Sequence, residues 1–174
     1  MICDTSTISP LGSKDFSKNS IDAGMLYVDS PMSGGVMGAE KGTLAFMVGA
    51  NTQEDFEKAS VVLEAMGKRV FHCGPAGTGS IAKLSNNLIL GIQMAACSEG
   101  MALGEKLGID PKILMNILAV STSSCFCITA SNPRPGNLPA APSSNNYDGG
   151  FGVGLIRKDM GLALECAEAI GTDL

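Results

Sequence analysis

The sequence predicts an α/β region followed by an all-α region, and three observations carry this prediction. Up to residue 73, short apolar runs alternate with helix-type segments, which is the pattern of a layered sheet with helices packed against it. From 78 to 107 there is no proline, and apolar residues recur at helical spacing. No strand-type segment follows. We therefore predict a domain boundary near residue 77, with domains at 1–77 and 78–174.

The α/β region is expected to contain four strands and two helices. The predicted strands are the apolar runs at 2–3, 25–31, 43–49 and 69–73. One helix should cover 13–23, and a second should begin at Thr52, whose hydroxyl can cap the helix while Asp55 completes a capping box. We interpret the Ser-Pro pair at 9–10 as a turn and the glycine-rich stretch 32–42 as a loop.

The second region is expected to be helical. Its first helix would hold about 30 residues and be roughly 45 Å long, and its many small residues would let neighbouring helices approach closely. Asp110 followed by Pro111 predicts the start of another helix, which should end near 120. A loop rich in Pro, Asn, Ser and Gly covers 131–152, and a last helix is expected at 155–170.

Composition argues against several classes of protein. The formal net charge of −5 and the lack of any basic run disfavour a nucleic-acid partner. The most apolar window, 88–97, is too short to span a bilayer, so we expect no membrane partner. His72 is the only histidine, which disfavours a Ser-His-Asp triad. The six cysteines form no C-x-x-C pair, so we expect no metal site.

Lys83 is the first candidate for chemistry. It falls in the second turn of the long predicted helix, where the helix dipole disfavours a cation. The dipole and burial would both lower its pKa towards a range in which an amine exchanges protons at neutral pH. Asn87 would share its helix face and could hold a substrate hydroxyl or the lysine itself. The alternative is an ordinary lysine on a solvated helix face.

Three other segments could bind a ligand, although each is also typical of an ordinary turn or surface pair. The Ser33-Gly34-Gly35 turn follows a strand and could offer backbone N–H groups to a carboxylate or phosphate. Thr7 stands in a hydroxyl-rich turn after the first strand, where ligands of α/β sheets bind. Lys158 and Asp159 are expected in the first turn of the last helix, where the lysine is unfavourable.

Together, and in this order, these segments resemble the β-hydroxyacid dehydrogenase family. The resemblance runs along essentially the whole chain and is carried by DTSTISP, VDSPMSGGVMGAEKGTLAFMVGA, GTGSIAKLSNN, NNYDGGF and LIRKDMGLA. It implies the C-terminal part of a Rossmann-type dinucleotide-binding domain, joined by the long helix to a helical domain. The family's G-x-G-x-x-G loop is not found, so the resemblance also implies a chain truncated at both ends.

The resemblance assigns roles on the substrate side. Lys83 matches the catalytic lysine, which exchanges the proton of the substrate hydroxyl, and Asn87 matches a residue that orients the substrate. The Ser33-Gly34-Gly35 turn matches the loop that grips the substrate carboxylate. Phe151 and Asp159 match residues that line the substrate. We expect closure of the two domains to bring the lysine and the glycine turn together.

The resemblance also implies a cofactor and a reaction. Thr7 and Lys158 match residues that contact NAD, and a preference for NADP stays open. The implied reaction oxidises 3-hydroxyisobutyrate to methylmalonate semialdehyde in valine breakdown. Two alternatives stay open: a reductase of glyoxylate or small semialdehydes, and a non-catalytic fragment. A small hydroxy acid as substrate, a homo-oligomer and a place in the mitochondrial matrix are further implications.

Overall fold

The computed structural model describes all 174 residues, and every element after the last strand is helical. The strands are β1 (Ile2–Asp4), β2 (Tyr27–Asp29), β3 (Met32–Ser33), β4 (Leu44–Gly49) and β5 (Gly67–Gly74). The helices are α1 (Pro10–Asp22), α2 (Gly35–Glu40), α3 (Gln53–Leu63), α4 (Thr78–Lys106), α5 (Pro111–Val120), α6 (Phe126–Thr129) and α7 (Val153–Ala169), with a 3-10 turn at Pro142–Ser144. The predicted order, α/β followed by helical, is confirmed.

Strand β4 is the centre of a mixed sheet. It runs parallel to β5, with Phe46 opposite Val70, and antiparallel to β3, with Phe46 opposite Met32. Strand β2 also pairs with β4 in the antiparallel sense, and β1 extends the sheet by pairing in parallel with β2. Pro31 separates β2 from β3, and its carbonyl accepts a hydrogen bond from Met47 N at 2.9 Å. Because β2 and β3 pair with the same side of β4, β3 and the Ser33-Gly34-Gly35 turn at its end lie beside the middle of the sheet.

The core of this region lies between the sheet and α3. Leu44, Phe46 and Val48 alternate along β4 and are buried, as the two-residue period of a strand requires. Ala59 and Leu63 stand one turn apart on α3 and are fully buried in the same cluster. This packing holds β2 and β4 in place, and both strands position the site described below.

Two expectations about the first region are wrong. Helix α1 begins at Pro10, because Ser9 Oγ accepts a hydrogen bond from Leu11 N at 3.3 Å and so caps the helix. Proline suits the first helical position, since its missing N–H would have no partner there. The stretch 32–42 is also more than a loop, because it contains β3 and the six-residue helix α2.

The other helices follow their sequence signals. Thr52 Oγ1 accepts a hydrogen bond from Asp55 N at 3.1 Å, so the predicted cap of α3 is confirmed. Helix α4 has 29 residues, close to the predicted length. The Asp110 carboxylate accepts hydrogen bonds from the first backbone N–H groups of α5, as expected of a capping residue. Helix α7 begins two residues before the predicted start. None of these helices is long and apolar enough to cross a bilayer.

The chain forms two compact units, which are Met1–Leu88 with Gly154–Leu174, and Ile89–Val153. The domain boundary near residue 77 stays a prediction. Within the second unit, Gly104 allows Leu114 of α5 to pack directly on α4, because a Cβ at this glycine would overlap the leucine Cδ2 atom. Glu105 receives two hydrogen bonds from the Arg134 guanidinium, at 2.7 and 2.5 Å.

Candidate active site

A buried carboxylate holds the amino end of α4 against the sheet. Asp29, the last residue of β2, accepts hydrogen bonds from the backbone N–H of Gly77 at 2.7 Å and of Ser80 at 2.8 Å. Burial raises the pKa of Asp29, and the same N–H groups oppose the rise. Gly79 permits the close approach, because a Cβ there would overlap the Met47 carbonyl oxygen. The first turn of α4 is therefore fixed against β2 and β4.

The hydrogen bonds to Asp29 affect how a glycine pattern at the start of α4 is interpreted. Residues 77–82 read G-T-G-S-I-A, follow β5 and open a helix, which is the G-x-G-x-x-A pattern typical of dinucleotide-binding loops. In such loops the N–H groups at the helix start bind a phosphate. Here the carboxylate of Asp29 uses two of those N–H groups. Sequence reasoning missed the role of Asp29 in positioning α4. The only signal for it was an acidic residue at the end of an apolar strand.

Lys83 reaches from the second turn of α4 to the Ser33-Gly34-Gly35 turn. Its Nζ donates a hydrogen bond to Ser33 Oγ at 3.2 Å, and the residue is only 9% exposed. Lys83 is therefore not a solvated surface lysine. Both residues belong to the first compact unit, so the expected closure of domains is not needed for this contact.

The pKa of the Lys83 amine is lowered, in the predicted direction. Burial is the largest cause, because it disfavours the charged form. The negative charge of Asp159 acts against this, and the positive charge of Lys158 adds to it. The helix dipole was expected to contribute, but burial and the charge of Lys158 account for the lowered pKa. A buried amine with a lowered pKa beside a hydroxyl is suited to proton exchange.

Asn87 and Asp159 form a buried hydrogen-bonded pair in the site. Asn87 Nδ2 donates a hydrogen bond to Asp159 Oδ2 at 2.5 Å, and both residues are almost fully buried. Asn86 Nδ2 donates to Asn87 Oδ1 at 2.9 Å, so the amide of Asn87 is held from both ends. In this structure the amide of Asn87 is bonded to these two residues, and the Lys83 amine is bonded to Ser33 Oγ instead.

Lys158 and Asp159 connect α7 to the end of β1. The two residues lie in the second turn of α7, one turn later than predicted, because the helix begins at Val153. Lys158 Nζ is 2.9 Å from Asp159 Oδ1 and donates a hydrogen bond to the Thr7 carbonyl at 2.6 Å. The side chain of Lys158 is 48% exposed, whereas that of Asp159 is 3% exposed. The Lys158 ammonium is the only polar partner of the buried Asp159 Oδ1, so this carboxylate oxygen can accept a further hydrogen bond.

The glycines of the Ser33-Gly34-Gly35 turn are required by the backbone. Gly34 has φ of 137° and Gly35 has φ of 60°, a region that side-chain-bearing residues rarely adopt. A Cβ at Gly34 would also lie 3.0 Å from Leu44 Cδ2. The turn leads directly into α2, whose start has no side-chain cap. Its geometry brings Ser33 to the lysine.

Eight of the nine predicted site residues fall in the first compact unit, and Phe151 does not. Their polar contacts form two groups there. Lys83 is bonded to Ser33, and a second series of contacts joins Asn87, Asp159, Lys158 and Thr7. Phe151 belongs to the second unit, where its side chain is exposed. The structure contains no group of three or more His, Cys, Asp or Glu side chains able to hold a metal ion.

Comparison with protein families agrees with this architecture. A family model described as NAD-binding of NADP-dependent 3-hydroxyisobutyrate dehydrogenase matches residues 77–174. A second, described as the NAD-binding domain of 6-phosphogluconate dehydrogenase, matches residues 1–74. The fold and these matches place the chain in a class of NAD(P)-binding oxidoreductases. Within that class, the chain belongs to the 3-hydroxyisobutyrate dehydrogenase family.

Individual relatives point the same way. The chain is 46% identical to a Bos taurus protein named 3-hydroxyisobutyrate dehydrogenase, mitochondrial, over 96% of this chain and 49% of the relative. It is 44% identical to the Pseudomonas aeruginosa 3-hydroxyisobutyrate dehydrogenase, over 98% of this chain and 57% of the relative. The chain thus spans about half the length of the curated relatives it matches. Relatives named mitochondrial occur in eukaryotes, and bacterial relatives occur as well.

Solved structures share the fold closely. The Mycobacterium tuberculosis 3-hydroxyisobutyrate dehydrogenase, solved with L-serine, superposes with a TM-score of 0.94 at 38% identity, covering 99% of this chain and 59% of that one. A protein named Psf3, solved with NADP+ and 2-OPP, superposes with a TM-score of 0.74 at 25% identity, covering 94% of this chain and 55% of that one.

Proposed function

We propose that this chain carries the proton-transfer and substrate-binding residues of an NAD(P)-dependent 3-hydroxyisobutyrate dehydrogenase. The observation that carries the proposal is the buried Lys83 amine, which lies 3.2 Å from Ser33 Oγ and has a lowered pKa. A buried lysine with a hydroxyl neighbour is costly for a fold and useful for proton transfer. Membership of the family supports the choice of reaction.

The reaction sets three requirements for the protein. Oxidising a β-hydroxy acid removes a hydride from the carbon that bears the hydroxyl and a proton from the hydroxyl oxygen. The nicotinamide of a bound NAD(P) accepts the hydride. The protein must accept the proton, hold the substrate carboxylate and orient the hydroxyl between them. The site offers a candidate for each of these tasks.

Lys83 is proposed as the general base. In its neutral form Nζ accepts the hydroxyl proton during oxidation, and in the reverse reaction the ammonium form returns it. Burial favours the neutral form, so a larger fraction of the amine is ready to accept a proton near neutral pH than for an exposed lysine. The hydrogen bond to Ser33 Oγ keeps the amine beside the turn that is proposed to hold the carboxylate.

Asn87 and Asp159 are proposed to orient the substrate. The amide of Asn87 uses one N–H in bonding to Asp159 and accepts from Asn86, which leaves its second N–H for a substrate oxygen. Asp159 Oδ1 is buried and is paired only with the Lys158 ammonium, so it can also accept a hydrogen bond from a hydroxyl. Phe151 is proposed as a substrate-lining residue on the strength of the resemblance.

Thr7 and Lys158 are proposed to hold one side of the cofactor. The Lys158 ammonium is partly exposed and is tethered to the Thr7 carbonyl at the carboxyl end of β1, where ligands of α/β sheets bind. A cation there suits an anionic or polar part of a dinucleotide. The start of α4 does not fit a phosphate, because Asp29 already uses its N–H groups.

We propose NAD as the cofactor, the mitochondrial matrix as the location in a eukaryote, and valine breakdown as the pathway.

Replacing Lys83 tests the proposal. In a chain extended to the length of its relatives, Lys83→Ala should lower kcat for 3-hydroxyisobutyrate by about 100-fold or more, because proton transfer by a positioned group contributes roughly this much. The KM for the dinucleotide should change little. Lys106→Ala, an exposed lysine on the same helix, is the matched control and should retain full kcat.

The assay follows the absorbance of the reduced nicotinamide with NAD+ and with NADP+ in parallel. L-serine as an alternative alcohol, and glyoxylate with the reduced cofactors, test the neighbouring substrate classes. Unchanged kcat in the Lys83→Ala protein would remove the general-base assignment. Turnover of glyoxylate in preference to 3-hydroxyisobutyrate would replace the proposed substrate and keep the lysine mechanism.

A further inference from the structure

Two cysteines of the second compact unit face each other. Cys97 lies on α4, and Cys125 is the residue that precedes α6, 28 positions further along the chain. Their Sγ atoms are 3.6 Å apart, and both side chains are partly exposed. All six cysteines of the chain are free thiols. We propose that Cys97 and Cys125 form a redox-modification site, in which a hydroperoxide converts the pair into an intramolecular disulfide.

The geometry requires only a small movement. A disulfide bond is about 2.05 Å long, so the two sulfur atoms must approach by roughly 1.5 Å. Cys125 has an extended backbone and follows the segment 121–124, in which all four side chains are exposed. Exposed segments of this kind adjust more easily than packed helices. Cys97 is held in the middle of a long helix, so Cys125 is the residue that moves.

The chemistry balances with a hydroperoxide as the oxidant. Cys125 is next to the exposed segment and is assigned the first attack: its sulfur takes the terminal peroxide oxygen, becomes a sulfenic acid and releases an alcohol, or water from hydrogen peroxide. The Cys97 sulfur then attacks the Cys125 sulfur, the S–O bond breaks, and a second water leaves with the proton of Cys97. Two thiols lose two hydrogens, and the peroxide is reduced.

Cys127 is the nearest competitor for this reaction. It is fully buried, and its Sγ donates a weak hydrogen bond to the Leu90 carbonyl at 3.9 Å. Burial raises the pKa of both Cys97 and Cys127, so neither is a fast nucleophile by itself. The contact between the Cys97 and Cys125 sulfur atoms therefore determines which two thiols form the disulfide. Because the thiols react slowly, the disulfide forms on sustained rather than brief exposure to peroxide.

The cross-link joins α4 to the start of α6 and closes a loop that contains α5. Closing a loop limits the freedom of the unfolded chain, so the oxidised protein should be the more thermostable form. The predicted effect is a rise in Tm that dithiothreitol reverses. This site lies outside the residues proposed for hydroxy-acid oxidation, and its test does not depend on that activity.

The test is oxidation of the protein with hydrogen peroxide, followed by alkylation and peptide mass mapping. The wild type should lose two of its six titratable thiols and yield one cross-linked peptide pair, Cys97 with Cys125, lighter by two hydrogens than the separate peptides. Cys97→Ser and Cys125→Ser should each abolish the cross-link and the rise in Tm. Cys166→Ser, on α7, is the matched control and should keep both.

Three outcomes would overturn the proposal. All six thiols could survive oxidation of the folded protein, or the cross-link could join Cys125 to Cys127, or Cys97 and Cys125 could be recovered only as sulfinic and sulfonic acids. Cys127→Ser separates the second outcome directly, because the proposed disulfide forms without Cys127. A Tm measurement on each reduced variant shows that a lost cross-link does not reflect a failure to fold.

Discussion

Lys83 shows how a single residue can be unfavourable for the fold and suited to chemistry. Its ammonium is buried beside a serine hydroxyl, and the nearest negative charge belongs to Asp159, which also pairs with Lys158. One carboxylate shared by two cations does not fully compensate the loss of water around Lys83. The lowered pKa is the direct expression of that cost.

The pKa of Lys83 predicts how stability depends on pH. Its pKa is lowered in the folded protein relative to the ordinary value of 10.5, so between these two values the unfolded state binds more protons. The destabilising contribution is fully present below the folded pKa and fades as pH rises towards 10.5. Lys83→Met should therefore stabilise the protein at neutral pH, and the gain should shrink at alkaline pH.

Chemical denaturation at a series of pH values from neutral to alkaline measures this effect. Lys106→Met provides the comparison, since that lysine is exposed on the same helix and should show no such trend. A Lys83→Met protein that is less stable than the wild type at neutral pH would contradict the predicted stabilisation.

At the scale of elements, the start of α4 decides where the lysine points. The helix is anchored by Asp29 and by a close approach to the carbonyl of Met47, which only glycine at position 79 allows. Lys83 follows one turn later, on the face directed at the Ser33-Gly34-Gly35 turn. A shift of the first turn of α4 would therefore move the amine away from Ser33.

Two glycine-to-alanine changes on α4 should have opposite effects. Gly79→Ala places a methyl group against the backbone oxygens of Met47 and Asp29 and against the hydrogen-bonded Asp29 carboxylate. Because none of these atoms can move aside easily, the change should lower the free energy of unfolding by about 2–4 kcal/mol. Gly100→Ala faces open space and should raise it by up to about 1 kcal/mol, through helix propensity. Urea denaturation of both variants measures the difference, and equal effects would show that the packing at Gly79 is looser than described.

At the scale of the whole molecule, side chains of the protein itself accept hydrogen bonds from the first backbone N–H groups of most helices. Ser9, Thr52 and Asp110 cap α1, α3 and α5 with their own side chains, and Asp29 serves α4 from a neighbouring strand. These N–H groups are therefore not available to a phosphate. Helix α2, which begins at Gly35, has no such side chain, and it starts at the turn proposed to hold the substrate carboxylate.

This arrangement predicts weak dinucleotide binding by residues 1–174 when they are expressed alone. We expect no saturable heat of binding in calorimetric titrations with NAD+ or NADP+, whereas a chain extended to the length of its relatives should bind one of them. Circular dichroism confirms that the helices are present in the sample. Saturable binding by the shorter chain would show that Thr7 and Lys158, or another start of a helix, suffice for the cofactor.

Local signals predicted most elements correctly. The Asp110-Pro111 start of α5 and the length of α4 follow from capping chemistry and periodicity, which act within a few residues. Ser9-Pro10 was misinterpreted because the same pair suits both a turn and a helix start. The strand and helix inside 32–42 were missed because their packing against β4, and not a local pattern, stabilises them.

The sequence by itself determined the order of the elements, the family resemblance and the identity of the candidate residues, because these depend on short-range pattern and residue type. Only the tertiary structure decided that Lys83 meets Ser33, that Asn87 bonds to Asp159, and that Asp29 fills the amino end of α4. Each of these contacts joins residues about 50 or more positions apart, so no local pattern specifies them. They arise when the packing of β2, β4, α4 and α7 brings polar groups together out of water, where each must find a partner.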